Sequence, residues 1–410
     1  MPAKLITVAL AETIVVATPS TEMQQLKLAF FCRLKHSIRL GLAIVACAVL
    51  AAGTVAAQQV VVSQNGAIEL AISNNQYTCP RANQPDMPVH VYRAANNQLR
   101  IFATNASNYP FISPSFALND LRKMRQICTP MLPVYSPSAR PNPQTFVQRQ
   151  WITATYTLDG KIVHGFVHNE FHGEDYSLLN PPCTESGVKC LYSSLTKAIS
   201  VNSGSTFVHA LTPPQYFIAG PLHRFTRYQP NGAVTTRVGT AGPSNVVRNP
   251  KDGFYYMFMR HLEDYGPQEY GECVVRSRDL REWFFWDGSS FTKQFEDPYT
   301  TKKTPEERVC KTLDNHFGRI RSVVYSPVYH VFITVVPSGN GIGYATSSDL
   351  KNWSPLVMIS GLKGVQTAPS IIDHSSRARN FDVTGNSPYL YWTDDLTHQV
   401  YRVKLRISAN

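Results

Sequence analysis

His164, His168, Glu170 and His172 are spaced by two or four residues around the end of the apolar run Ile162–Val167. Side chains on a β-strand alternate between faces, so all four fall on one face if the strand continues. Ionisable groups that close an apolar strand are costly unless they pair or face a solvated cleft. In a cleft, Glu170 can act as general acid or base, its proton affinity set by the imidazoles beside it, with Asp86 as its partner across an axis. A second reading is a solvated strand end with satisfied histidines, since His261 and Glu263 repeat the pattern 93 residues on. A third is a metal triad of His168, Glu170 and His172. Residues four apart on a strand lie roughly 13 Å apart, too far for one ion without a bend. No metal site or cofactor is therefore expected, with a structural Ca²⁺ held near an axial histidine as the milder version.

The elements that carry these residues are strands. From residue 86 onward, short runs of Val, Ile, Tyr, Phe and Thr alternate with Gly, Pro, Asn and Asp, and no long amphipathic helical pattern occurs. Gly271–Trp283 matches Gly341–Trp353 at a constant offset of 70, sharing Gly, Ser, Asp-Leu and Trp. This reads as a strand ending in a turn where Asp caps backbone amides and Trp packs between units. The order strand, turn, strand recurs from Val89, Ile152, Val246, Ile320 and Ser370. Five such units predict an all-β propeller, each blade a sheet of about four antiparallel strands. The last unit offers three strands, so Val60–Ser73 is expected to supply a fourth beside the C-terminal strand and close the ring.

Ser348-Asp349-Leu350-Lys351-Asn352-Trp353-Ser354, echoed by Arg278–Trp283, resembles the strand-turn of the five-bladed propeller glycoside hydrolases, the arabinanase/xylosidase and invertase/fructosidase relatives. Ser200–Phe207 resembles a sialidase Asp-box with Asn202 and Phe207 as substitutions. The likeness covers the turns of about three blades. It implies an axial site where carboxylates of different blades converge on a sugar. Asp86, just ahead of the run Met87–Val91, fits the first-blade carboxylate; the second and third blade starts, Gln148–Trp151 and Pro243–Asn245, carry none. A glycosidase needs two carboxyls, and Asp86 and Glu170 are the expected pair. His168, His172, Trp151, Arg260, His261, Arg319 and Arg321 are the expected substrate contacts, the arginines suiting an anionic sugar. Glu272, beside Cys273, resembles the Glu-Cys of the invertase relatives, but the repeat places it opposite Ile342 as a structural strand residue.

Arg33, Lys35 and Arg39 precede the apolar run Leu40–Ala52 and the small residues Gly53–Ala57. These are the parts of a secretory signal, and the run is short for a membrane span. Residues 1–57 are read as leader and 58–410 as a single propeller domain, secreted or periplasmic, monomeric, without a stable span after cleavage; a retained anchor is the alternative. Six cysteines remain, for which nearest-neighbour pairing gives Cys79–Cys128, Cys183–Cys190 and Cys273–Cys310.

The chain has 410 residues, 39 Lys+Arg against 28 Asp+Glu, and a net charge of +11. Without the leader there are 34 basic and 26 acidic residues, net +8, scattered over turns. That scatter argues against nucleic acid as a partner. Gly-x-Ser-x-Gly, a P-loop and Gly-x-Gly-x-x-Gly are all absent. A carbohydrate partner remains, either cleaved by paired carboxylates or, alternatively, bound without turnover by a non-catalytic secreted propeller that takes glycan or protein.

Overall fold

Runs rich in β-branched and aromatic residues form the strands, and the turns between them are held by local side-chain bonds. The computed structural model describes residues 59–410 except 80–84, 104–107, 114–117, 119–122, 130, 133–141, 174–189, 211–215, 231, 233–234, 236, 263–265, 315–317, 340 and 363–365. The leader, the Cys183 half of the expected Cys183–Cys190 pair, and Glu263 therefore lie outside the described residues.

Strands β1 (Val60–Gln64) and β2 (Glu69–Ile72) precede five runs of strands, here called meanders, which hydrogen-bond as four sheets because one parallel strand pair joins the second run to the third. The first is β3 (His90–Arg93), β4 (Leu99–Phe102), β5 (Phe111–Ile112) and β6 (Arg125–Gln126). The second is β7 (Arg149–Tyr156), β8 (Val163–His172) and β9 (Leu191–Ser200), with β10 (Val208–His209) and β11 (Phe217–Ala219) on the outer edge of β9. The third is β12 (Arg237–Ala241), β13 (Val247–Arg248), β14 (Tyr255–His261), β15 (Gly271–Ser277) and β16 (Phe284–Phe285). The fourth is β17 (Ser322–Ser326), β18 (Val331–Ser338), β19 (Gly341–Ser347) and β20 (Val357–Met358). The fifth is β21 (Gln366–Ile372), β22 (Tyr389–Asp394) and β23 (Gln399–Ala409).

The core lies between the meanders. Phe102 of the first packs with Val167 of the second, Phe166 of the second shares a layer with Trp283 of the third, and Phe258 of the third with Phe332 of the fourth. Ile333 packs with Leu390 of the fifth, and Ile372 returns to Val91 of the first. Apolar layers in cyclic order make this a β-propeller. The ring closes as expected: Val60 pairs with Ala409 and Gln64 with Leu405, while β2 continues along the same edge with Glu69 opposite Arg402.

The repeated turns explain the shared Ser, Asp and Leu. The Ser277 hydroxyl accepts from the Leu280 amide at 2.8 Å and Asp279 Oδ1 from the Arg281 amide at 2.8 Å; Ser347 and Asp349 do the same for Leu350 and Lys351 at 2.8 and 2.9 Å. Trp283 meets Phe166 edge-on, and Trp353 meets Phe258, so each tryptophan packs onto the preceding meander. Two expected disulfides are present, Cys79–Cys128 and Cys273–Cys310.

Candidate active site

Antiparallel strand order brings several strand ends to one end of the ring. Asp86 precedes β3, Trp151 lies on β7, Glu170 is near the end of β8, Arg237 opens β12, Arg260 and His261 end β14, and Arg319 and Arg321 precede β17.

Pleat alternation puts His168, Glu170 and His172 on one face, and they bond to each other. His168 Nε2 lies 3.0 Å from Glu170 Oε1 and His172 Nε2 lies 2.8 Å from Oε2, while Arg237 Nη2 reaches Oε1 at 3.3 Å. Burial opposes the charge on Glu170, but the two histidine bonds and their charge outweigh it and hold the carboxyl far below the usual range. Each imidazole takes a different oxygen of one carboxylate, an arrangement different from a shared metal ion. Among the described residues, no group of three or more His, Cys, Asp and Glu is placed to hold a metal.

Trp151 joins this cluster to Asp86. Its indole donates to Asp86 Oδ2 at 3.1 Å, and its ring lies 5.6 Å from that of His168. Desolvation pushes the Asp86 carboxyl up to about 6, with the charge of Glu170 adding to the rise, while the Trp151 bond and Arg321 resist it. Asp86 is itself exposed, so solvent tempers that rise.

Beyond β12 and β14 in the same sheet lies a third carboxyl. Glu272 on β15 is 1% exposed, and neither of its oxygens has a hydrogen-bond partner. Burial pushes it up to about 7 against the opposing charges of Arg260, Arg319 and Arg321, and the Ile320 amide lies near enough to favour the charge without completing a hydrogen bond. Arg321 acts on both Glu272 and Asp86 and so couples the two acids. Two glycines allow the close packing. Gly239, at φ +98°, crosses β9 where a Cβ would lie 1.9 Å from the Ser193 carbonyl oxygen; a Cβ on Gly242 would lie 2.1 Å from Arg321 Nη1. The Cys273–Cys310 bond and the Leu313 amide, which donates to the Glu272 carbonyl at 2.9 Å, fix the backbone on either side.

The repeat register of Glu272 is as read from the sequence, but its surroundings are not those of Ile342, a buried apolar neighbour in the layer between the fourth and fifth meanders. The adjoining cysteine was the available signal. Arg237 gave no signal, because its contact with Glu170 spans 67 residues. His261 has no exposed surface; its Nε2 lies 3.3 Å from the Gly220 carbonyl and its ring stacks near Phe295, so it braces the wall behind Arg260. His164 lies toward the other end of β8, among Lys197, Asp279 and Arg281.

No protein-family model and no curated protein matches the sequence significantly. Among solved structures, the chain is similar to an α-L-arabinofuranosidase from Lactobacillus brevis (12% identity, 83% of this chain and 95% of that chain, TM-score 0.42) and to RS223-β-xylosidase (12% identity, 81% and 94%, TM-score 0.41). It is also similar to a structure from Parabacteroides distasonis provisionally named a glycoside hydrolase (15% identity, 60% of this chain, TM-score 0.33), and spans 63% of that chain.

Proposed function

We propose that this protein is an exported, five-bladed propeller glycoside hydrolase that cleaves a glycosidic bond between Asp86 and Glu170. One observation carries the reading: two carboxyls at one end of the ring, linked through Trp151 and His168, are driven in opposite directions, Asp86 up to about 6 and Glu170 far down. Environments that separate two acids in this way set up an acid and an ionised partner. Asp86 protonates the leaving oxygen as the glycosidic bond breaks, and Glu170, kept ionised by His168, His172 and Arg237, stabilises the oxocarbenium-like transition state. Water adds to the anomeric carbon and gives its proton back to Asp86. Trp151 borders the sugar, and Arg321 steadies the charge balance around Asp86.

The short apolar run behind basic residues and the two disulfides support export. Among the described residues, no helix is long and apolar enough to cross a membrane. A second reading, glycan binding without turnover, is favoured by the full set of partners on Glu170, which leaves its oxygens little freedom.

The test is hydrolysis of a panel of plant and bacterial polysaccharides by wild type, Glu170→Gln and Asp86→Asn, with folding checked by circular dichroism. Loss of about three orders of magnitude in each variant is expected. Equal activity in wild type and Glu170→Gln would remove Glu170 from the mechanism. Binding without hydrolysis by the wild type would favour the second reading.

A further inference from the structure

Among the described residues, Glu272 is the buried carboxyl that lacks a partner on both oxygens, although three guanidiniums lie within electrostatic reach. A structural ion pair would satisfy those oxygens, since an unpartnered buried carboxyl is costly. The arginines are also underused. Arg260 has a buried Nε without a partner and lies 4.8 Å over the Tyr270 ring. Arg319 makes no hydrogen bond or ion pair among the described residues, and Arg321 donates one bond, 3.2 Å, to the Gly242 carbonyl. Arg237, close to Arg319 and Arg321, is committed to Glu170. Gathering cations that repel one another, without pairing them among the described residues, leaves their forks free for a planar oxyanion.

We propose that Arg260, Arg319 and Arg321 form a subsite for a carboxylate carried by the sugar, with Glu272 as an internal anion that takes up a proton when the substrate's carboxylate binds. The preferred glycan is then one built of hexuronic acid. This rests on the carbohydrate reading above and adds the substrate class. The proton balance is simple: as the incoming carboxylate brings in one negative charge, Glu272 takes one proton from solvent and stays in place as a neutral acid. Glu272 is already poised for this near pH 7. The charged groups facing it are Arg260 from β14 and Arg319 and Arg321 from the segment before β17, with Arg237 and Asp86 reached through those arginines.

The test is calorimetric binding at pH 7.5, in two buffers of different ionisation enthalpy. The ligands are oligomers of galacturonic, glucuronic and mannuronic acid, their carboxyl-reduced counterparts, and a sulfated neutral oligosaccharide. At least one acidic oligomer should bind about 10- to 100-fold more tightly than its reduced form, with proton uptake. Arg319→Ala and Arg260→Ala should lose that preference, and Arg319→Lys should restore part of it. Glu272→Gln should keep tight binding and lose the proton uptake. Equal binding of reduced and acidic oligomers, unchanged preference in a folded Arg319→Ala, or preference for the sulfated ligand would overturn the proposal. Acidic oligomers bound but never cleaved would leave this inference standing and defeat the hydrolase reading; cleavage of neutral glycans alone would do the reverse.

Discussion

The indole of Trp151 donates to Asp86 Oδ2 across 3.1 Å, tying the first strand of the second meander to the residue that leads into the first. Because the same ring lies beside His168, which holds Glu170, one tryptophan connects the two carboxyls.

Replacing Trp151 with Phe removes a bond that stabilises the ionised form of Asp86, so its pKa should rise above about 6. If Asp86 acts as the proton donor, the alkaline limb of the activity profile should move upward by up to about one unit. An unmoved limb would separate Asp86 from that limb.

His172→Ala should weaken folding by roughly 1.5–3 kcal/mol at pH 7, the value of a hydrogen bond to a charged group. Glu170 is depressed in the folded state, so its contribution is fully present above the unfolded carboxyl pKa and is lost as pH falls. Urea unfolding should therefore show the difference between variant and wild type shrinking below about pH 4.5. A constant difference down to pH 3 would mean that His172 acts through packing alone.

At the other end of the ring, a strap from the fifth meander fastens the other four. Arg379 Nη1 donates to the Arg93 carbonyl at 3.0 Å, and Asn380 Nδ2 to Thr157 at 2.9 Å. Asp382 accepts from Tyr156 Oη at 3.1 Å and the Arg248 amide at 3.2 Å, and its carbonyl accepts from the Tyr325 amide at 2.9 Å. Asp382→Ala leaves a buried hydroxyl and an amide unpaired, which should cost about 2–4 kcal/mol and lower Tm with no change in KM. A raised KM with unchanged Tm would contradict this placement.

Deleting residues 59–73 strips both strands from the edge of β23 and exposes the layer containing Val60, Val62 and Ile72. The truncated protein should lose cooperative unfolding and aggregate. A sharp melt at the wild-type temperature would show that the ring closes without them.

Much of the architecture is legible in the sequence because its determinants are local. The Ser and Asp of each repeated turn bond to amides two or three residues away, so Ser277-x-Asp279-Leu280 and Ser347-x-Asp349-Leu350 reveal the same bend twice. Alternation along β8 likewise places His168, Glu170 and His172 together. The missing fourth strand of the last unit follows from the need to cover an edge.

The chemistry of the carboxyls follows from tertiary structure instead. Glu272 and Ile342 occupy equivalent positions in two repeats, yet one faces arginines 260, 319 and 321 and the other an apolar layer. His261 and His168 look alike in the chain and both are buried, but the first packs against the Gly220 carbonyl and Phe295 while the second lies against Glu170. The sequence alone determined the strands, their turns and the order in which they recur. Only the closed ring decided which charges meet, because a carboxyl's proton affinity depends on desolvation and on neighbours brought in from other meanders, and neither has a period that can be read along the chain.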